Sequence, residues 1–407
     1  MSSTLGFQIS NAPTKHDPHH PSSGAGNVFL RAYRAVYRAF GFQKGYNFPL
    51  YAITVGTLCG FILARFQYLD FDGIFLKEAI PGEAYWYKDG HRRLGMILHL
   101  VGVLCGGFLA CLQFTPVIRH KFIWLHRICG YLAIILFLMG NAGAFMILDH
   151  AVGGSPAFQV WIVVLGLATT VGLSLAWINI KRLQIDQHRA WMIRTWAWAA
   201  NVITLRLILL AGIYVVPTYN IVLWSAIRCD EIHAMYASVG LPIEQNPTSQ
   251  LYPTCGEDAA SSTTAVAVSS MGEGPEAAAV MLRLVFVMSA WLALTIHALL
   301  AELYLWLTPA EHYRLRVVSY HRQVERGLTK PGRSKEAGLG SSRLGDAPEW
   351  WSLPLEDFQM AKTQPPDDRS KWTSTDYERR PIQHGIATHV QKDGTGDSEI
   401  LLRSTQQ

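Results

Sequence analysis

The sequence predicts an all-α protein: a polytopic transmembrane helix bundle of about six spans. Half of the 407 residues are hydrophobic and only 16% are charged, and the apolar residues gather in long runs instead of spreading at amphipathic spacing. A bilayer core of about 30 Å needs about 20 apolar residues per helix. Six stretches reach that length, at 48–69, 94–117, 124–148, 158–180, 191–216 and 280–307. Lipid offers no partner to an open backbone group, and these runs lack the alternation of barrel strands, so they must be helices.

Taken in order, the first 47 residues form a polar and basic segment with Arg31, Arg34, Arg38 and Lys44. It has no short apolar core followed by a cleavage site, so the first span is expected to serve as the insertion signal. Lys and Arg near the helix ends set orientation. The N-terminus, the loop with Arg119 and Lys121, the loop with Lys181, Arg182 and Arg189, and the segment after Leu307 are basic. These are expected to be cytosolic. Loop 149–157 has no basic residue, and segment 217–279 has only Arg228, so both are assigned to the lumen. Lys77, Lys88, Arg92 and Arg93 before the second span run against this assignment without reversing it. Segment 261–279, SSTTAVAVSSMGEGPEAAA, reads as a flexible approach to the last span. The tail 308–407 reads as mostly disordered, after a basic stretch suited to an anionic leaflet surface.

Of six cysteines, Cys59, Cys105, Cys111 and Cys129 lie inside spans and read as small core residues. Cys229 and Cys255 share the one long loop assigned to an oxidising compartment, where a disulfide is favoured. There is no glycine-rich phosphate loop and no zinc-type spacing of Cys or His. No metal, nucleotide or nucleic-acid partner is expected.

Ionisable residues at membrane depth are costly, so each needs an escape to the interface or a function. By depth, Gln113, His126, Arg194 and Glu302 fall in the cytosolic half, with Asp186 and His188 just outside. His99, Asn141 and Arg206 fall in the lumenal half, with Asp149 and His150 at its edge. Segment 186–194, DQHRAWMIR, reads as the rim of a polar site opening to the cytosol. In the second span His99, Gly102, Gly106, Ala110 and Gln113 share one face. That face suits either close helix packing through a GxxxG pair or the smooth wall of an elongated cavity. Arg189 and Arg194 suit either snorkelling or a site, Trp191, Trp196 and Trp198 an interfacial belt, and His297 an interhelical donor.

Two chemistries compete. Histidines on several spans suggest bis-histidine haem b and electron transfer, but His126 with His188 make the only level pair. The other reading is an acid catalyst for a lipid-like substrate. A desolvated carboxyl keeps its proton, protonates an epoxide or olefin, and starts a carbocation cyclisation that aromatic faces stabilise. Glu302 and Asp149 are the candidate acids, and His99, Gln113, His126, Asn141, His188, Arg194 and Arg206 the candidate substrate contacts. A non-catalytic scaffold or transporter is the third possibility.

The stretches LHRICGY (125–131), DQHRAWMIR (186–194), TLRL (204–207) and HALLAELYLW (297–306) resemble the signatures of a polytopic membrane family of unknown-function domain. That family includes fungal membrane-bound terpene cyclases of meroterpenoid pathways, of the ascofuranone and macrophorin type. The resemblance spans about 94–307. It implies an endoplasmic-reticulum isomerase without a redox cofactor, acting on a prenylated aromatic or quinone-derived precursor. His126, His188, Arg194, Arg206 and Glu302 match the family pattern.

Overall fold

Each apolar run is a helix in a computed structural model of the chain, which describes residues 28–42, 45–241, 247–256 and 264–328. The spans are Asn47–Leu69, Gly90–Gln113, Ile123–Met146, Pro156–Lys181, Ile185–Thr218 and Pro275–Leu307. The expected disordered tail beyond residue 328 and the expected polar N-terminus before residue 28 lie outside the described residues.

Boundaries moved where local chemistry overrides hydropathy. The second span ends at Gln113 because Thr115, extended at φ −80 and ψ 114, precedes Pro116, which opens the short helix Pro116–Lys121. The fifth span starts at Ile185, so the polar stretch 186–194 forms its opening turns. It breaks at Ala200, where Asn201 turns its side-chain amide back to the Trp198 carbonyl at 2.5 Å. The sixth span starts at Pro275, at the first helical position where a missing N–H costs nothing.

The long segment after the fifth span and the loops 70–89 and 147–155 gather at one end of the bundle, called the loop end. The helices Val28–Ala39 and Pro309–Glu325 mark the opposite, tail end. Val28–Ala39 carries Arg31, Arg34 and Arg38 and exposes Val28, Phe29, Leu30, Val36 and, just after it, Phe40. That composition suits a helix lying in the headgroup region.

Spans two and three make the closest pair. A Cβ on Gly102 would stand 2.5 Å from the Gly140 nitrogen, and one on Gly143 2.5 Å from the His99 nitrogen. The small-residue face of the second span is therefore filled by the third span and walls no cavity, which corrects the cavity reading. Without a hydrophobic force between helices in lipid, such close backbone approach is what holds them together. His99 Nδ1 and the Gly140 carbonyl lie 3.0 Å apart across this seam. Asn141 Nδ2 donates to Thr169 Oγ1 at 3.0 Å and Thr170 Oγ1 at 3.1 Å, tying the third span to the fourth.

The segment expected to be a flexible approach instead contains strand β2, Ala265–Ser269, antiparallel to β1, Trp224–Arg228. Its Ala-Val-Ala-Val alternation puts Val268 into a core with Ile227, Ile232, Met235, Tyr236 and Val280. The Cys229–Cys255 disulfide is formed and closes this cap. The tail helix Pro309–Glu325 docks on the bundle through Ser319, which donates to buried Asp186 at 3.1 Å.

Candidate functional site

Among the described residues polar groups gather at the tail end, at mid-depth and at the loop end of the bundle, and the sequence-derived candidates are divided among them except Arg206, which lies over the Phe286 ring near Arg65 and Tyr68. At the tail end, the stretch 186–194 forms a docking seam where an open rim was expected. Asp186 is taken by Ser319, and Arg189 reaches the Tyr304 hydroxyl at 3.4 Å and Thr308 at 3.3 Å. Arg194 makes a two-pronged pair with Glu302 at 2.6 and 2.8 Å and also lies over the Trp191 ring. Trp196, read as part of an interfacial belt, is buried edge-on against Phe137 at 5.1 Å.

His188 Nδ1 lies 2.8 Å from the Ala176 carbonyl, which fixes the ring through that nitrogen. His126 shares this neighbourhood electrostatically, and its Nδ1 is buried without a partner. Gln113 sits across from Gly130, one turn on from His126, and its Nε2 is also buried and unpartnered. Spans three and four also line an apolar groove of about 490 Å³ through Tyr131, Ile135, Leu138, Leu173 and Trp177. None of the candidate residues lines it.

At mid-depth, His297 bridges the Ala197 carbonyl at 2.7 Å and Thr204 at 2.8 Å, the interhelical role expected of it. His99 and Asn141 are likewise occupied by their interhelical bonds.

The loop end holds the densest chemistry, and most of it was missed. Arg283, in the third turn of the sixth span, ion-pairs with Glu83 at 3.2 Å and with Glu231, all three buried. Glu83 also accepts from Tyr87 at 3.0 Å and from the backbone N–H groups of Val152 at 3.0 Å and Gly153 at 2.9 Å. Val152 has φ 52, a left-handed conformation that a β-branched residue adopts only when its surroundings impose it. Next to it, Gly153 has φ 74, and a Cβ there would meet Arg283.

Two carboxylates share one guanidinium here, so full ionisation would leave a buried negative charge. Burial accordingly pushes the Glu83 carboxyl above the usual carboxylate range, and the Tyr87 hydroxyl well above its own. Asp149 behaves oppositely. It accepts hydrogen bonds from Arg92, at 2.5 and 3.2 Å, and these, with the His150 ring beside it, hold its carboxyl down to about 2. At neutral pH it is an ionised carboxylate, able to accept a proton and unable to donate one.

Tyr87 donates to Glu83 and lies within electrostatic reach of Asp149. Trp86 lies 3.8 Å from the His150 ring and is flanked by Arg92 and Arg228. Phe71, Phe75, Phe158 and Phe286 continue the aromatic surface into the bundle core. Glu302 lies at the opposite end, so the two expected acids are not brought together. Among the described residues, no group of three or more His, Cys, Asp or Glu is placed to hold a metal ion.

These features define an all-α, multi-pass membrane protein with a polar cap at one end and a docked helix at the other. Residues 91–236 match the family described as predicted membrane protein, DUF2306. The match covers spans two to five and the start of the cap, and stops short of the sixth span. Over 180 residues the chain is 27% identical to Ava biosynthesis cluster protein G of Aspergillus versicolor, an alignment covering 38% of this chain. The chain spans about half, 52%, of that curated relative's length. No solved structure matches the chain.

Proposed function

We propose that the protein is an integral membrane terpene cyclase of secondary metabolism, closing rings on a prenylated aromatic or quinone-derived precursor by proton-initiated attack on an epoxide or olefin. The observation that carries this reading is the opposed pair of carboxyls at the loop end. Environments that push two carboxyls apart in pKa mark an acid and a base, and Glu83 is displaced upward while Asp149 is displaced down to about 2. Similarity to a biosynthesis cluster protein supports the metabolic setting.

In this mechanism Glu83 is the acid and Asp149 the base. Glu83 gives its proton to the epoxide oxygen, and the C–O bond breaks as an internal olefin supplies the new C–C bond. The cation spreads along the chain against Phe75 and Phe158, and a neighbouring carbon loses its proton to Asp149. Substrate and product are isomers, so no redox cofactor is required. The role first given to Glu302 passes to Glu83, because Glu302 is committed to Arg194 at the far end. The disulfide supports a lumenal loop end in the endoplasmic reticulum.

Microsomes containing the protein and fed a farnesylated phenol epoxide test the reading. A ring-closed isomer is expected from the wild type and its loss from Glu83→Gln, while Glu302→Gln keeps turnover. Full turnover by Glu83→Gln would remove the acid assignment.

A second reading rests on His126 and His188, which share the tail end and have ring nitrogens free of protein partners. Those two imidazoles suit one haem b in an electron carrier. A Soret band in the purified protein that disappears in His188→Ala would favour it over the cyclase.

A further inference from the structure

Arg206 has no hydrogen-bond or ion-pair partner among the described residues, and its Nε is fully buried. Its guanidinium lies 5.1 Å from the centre of the Phe286 ring, which stabilises a cation but offers no strong acceptor. The polar groups that act on it electrostatically are Arg65 and Tyr68 of the first span. Arg65 donates to the Tyr68 hydroxyl at 2.7 Å and lies 5.0 Å above its ring, and Tyr68 packs edge-on against Phe75 at 5.7 Å. Glu78 approaches Tyr68, yet no ion pair joins it to either arginine among the described residues.

At 1.5 Å per residue from the tail end, Arg65 stands about 27 Å and Arg206 about 31 Å along their helices. Both are therefore level with the loop-side edge of a core about 30 Å thick. Two guanidinium groups near enough to act on each other, on helices that pack together, repel, and more strongly than in water. An oxyanion between them reverses the sign, and the forked geometry of arginine suits a carboxylate or phosphate. Leu63 on the first span and Leu207 and Leu210 on the fifth are exposed beside this pair, giving an apolar chain a path into the bilayer.

We infer that Arg65, Tyr68 and Arg206 form a binding site for the oxyanion head of an amphiphile whose apolar chain lies along the first and fifth spans. The site is independent of whether the protein cyclises anything, since it is read by binding alone.

The test uses full-length protein in phosphatidylcholine nanodiscs, with palmitate, hexadecyl phosphate and hexadecanol as probes. Palmitate or hexadecyl phosphate should bind saturably, and hexadecanol about tenfold more weakly or worse, the loss of one charge-assisted contact. Arg206→Gln and Arg65→Gln should each abolish that preference, Arg206→Lys should keep part of it, and Arg127→Gln at the exposed tail end should leave it intact. If Arg206→Gln elutes as an aggregate, Arg65→Gln carries the test. Phosphatidylglycerol in the disc separates the sources: displacement of the probe assigns the site to a bilayer lipid, and persistence assigns it to a free acid, both with the oxyanion site retained. Equal binding of hexadecanol and the anions, or an anion preference that survives Arg206→Gln and Arg65→Gln, would overturn it.

Discussion

Asp149 and Glu83 illustrate how environment divides two chemically similar groups. Asp149 is depressed from the ordinary carboxylate range to about 2 by Arg92. A depressed carboxyl stabilises the fold above its unfolded pKa and loses that contribution as pH falls through the folded value. Thermal unfolding of the detergent-solubilised protein should therefore weaken between about pH 4 and pH 2 partly through Asp149, and Asp149→Asn should flatten that limb. An unchanged limb in the variant would mean that the pair with Arg92 is not maintained. Glu83 works in the other direction. Its proton is present at low pH and is lost as pH rises through a raised pKa, so cyclisation should fall on the alkaline side. Asp149 was visible in the sequence because it sits next to a span end. Glu83 was not, because loop 70–89 reads as surface, and only the fold carries it under Gly153 and against Arg283.

Helices were the legible elements, since each span announces itself by length and apolarity. What hydropathy could not give was which polar residues partner which. The stretch 186–194 invited a rim because its partners, Ser319, Tyr304, Thr308 and Glu302, come from more than a hundred residues away. The GxxxG face of the second span suited packing or a cavity wall, and the close approach of Gly102 to Gly140 decides for packing. Gly102→Leu should therefore cost about 1–3 kcal/mol through overpacking. Gly60→Leu, at a position with nothing within 4 Å, should cost little. Comparing the two variants' midpoints in detergent checks this, and equal loss in both would contradict the packing of spans two and three. Strand β2 was missed because five alternating residues within a Ser/Thr-rich stretch carry too little signal without β1 beside them.

Across the whole molecule, the two ends of the bundle have separate characters. The tail end is basic and is closed by a docked helix, while the loop end is capped, disulfide-bonded and rich in carboxylates. Breaking the Cys229–Cys255 bond should cost the cap about 3 kcal/mol of loop-closure stabilisation. Cys229→Ser with Cys255→Ser should then migrate alike with and without reductant, while the wild type shifts, and identical mobility of the wild type under both conditions would contradict an oxidising environment for this face. The proposed chemistry rearranges bonds without electron transfer. Its most direct test is the mass of the product formed by purified protein in liposomes, fed a farnesylated phenol epoxide under nitrogen without added cofactor. A new compound with the substrate's own mass is the predicted result. The absence of such an isomer, or a product differing by the mass of hydrogen or oxygen, would contradict the account.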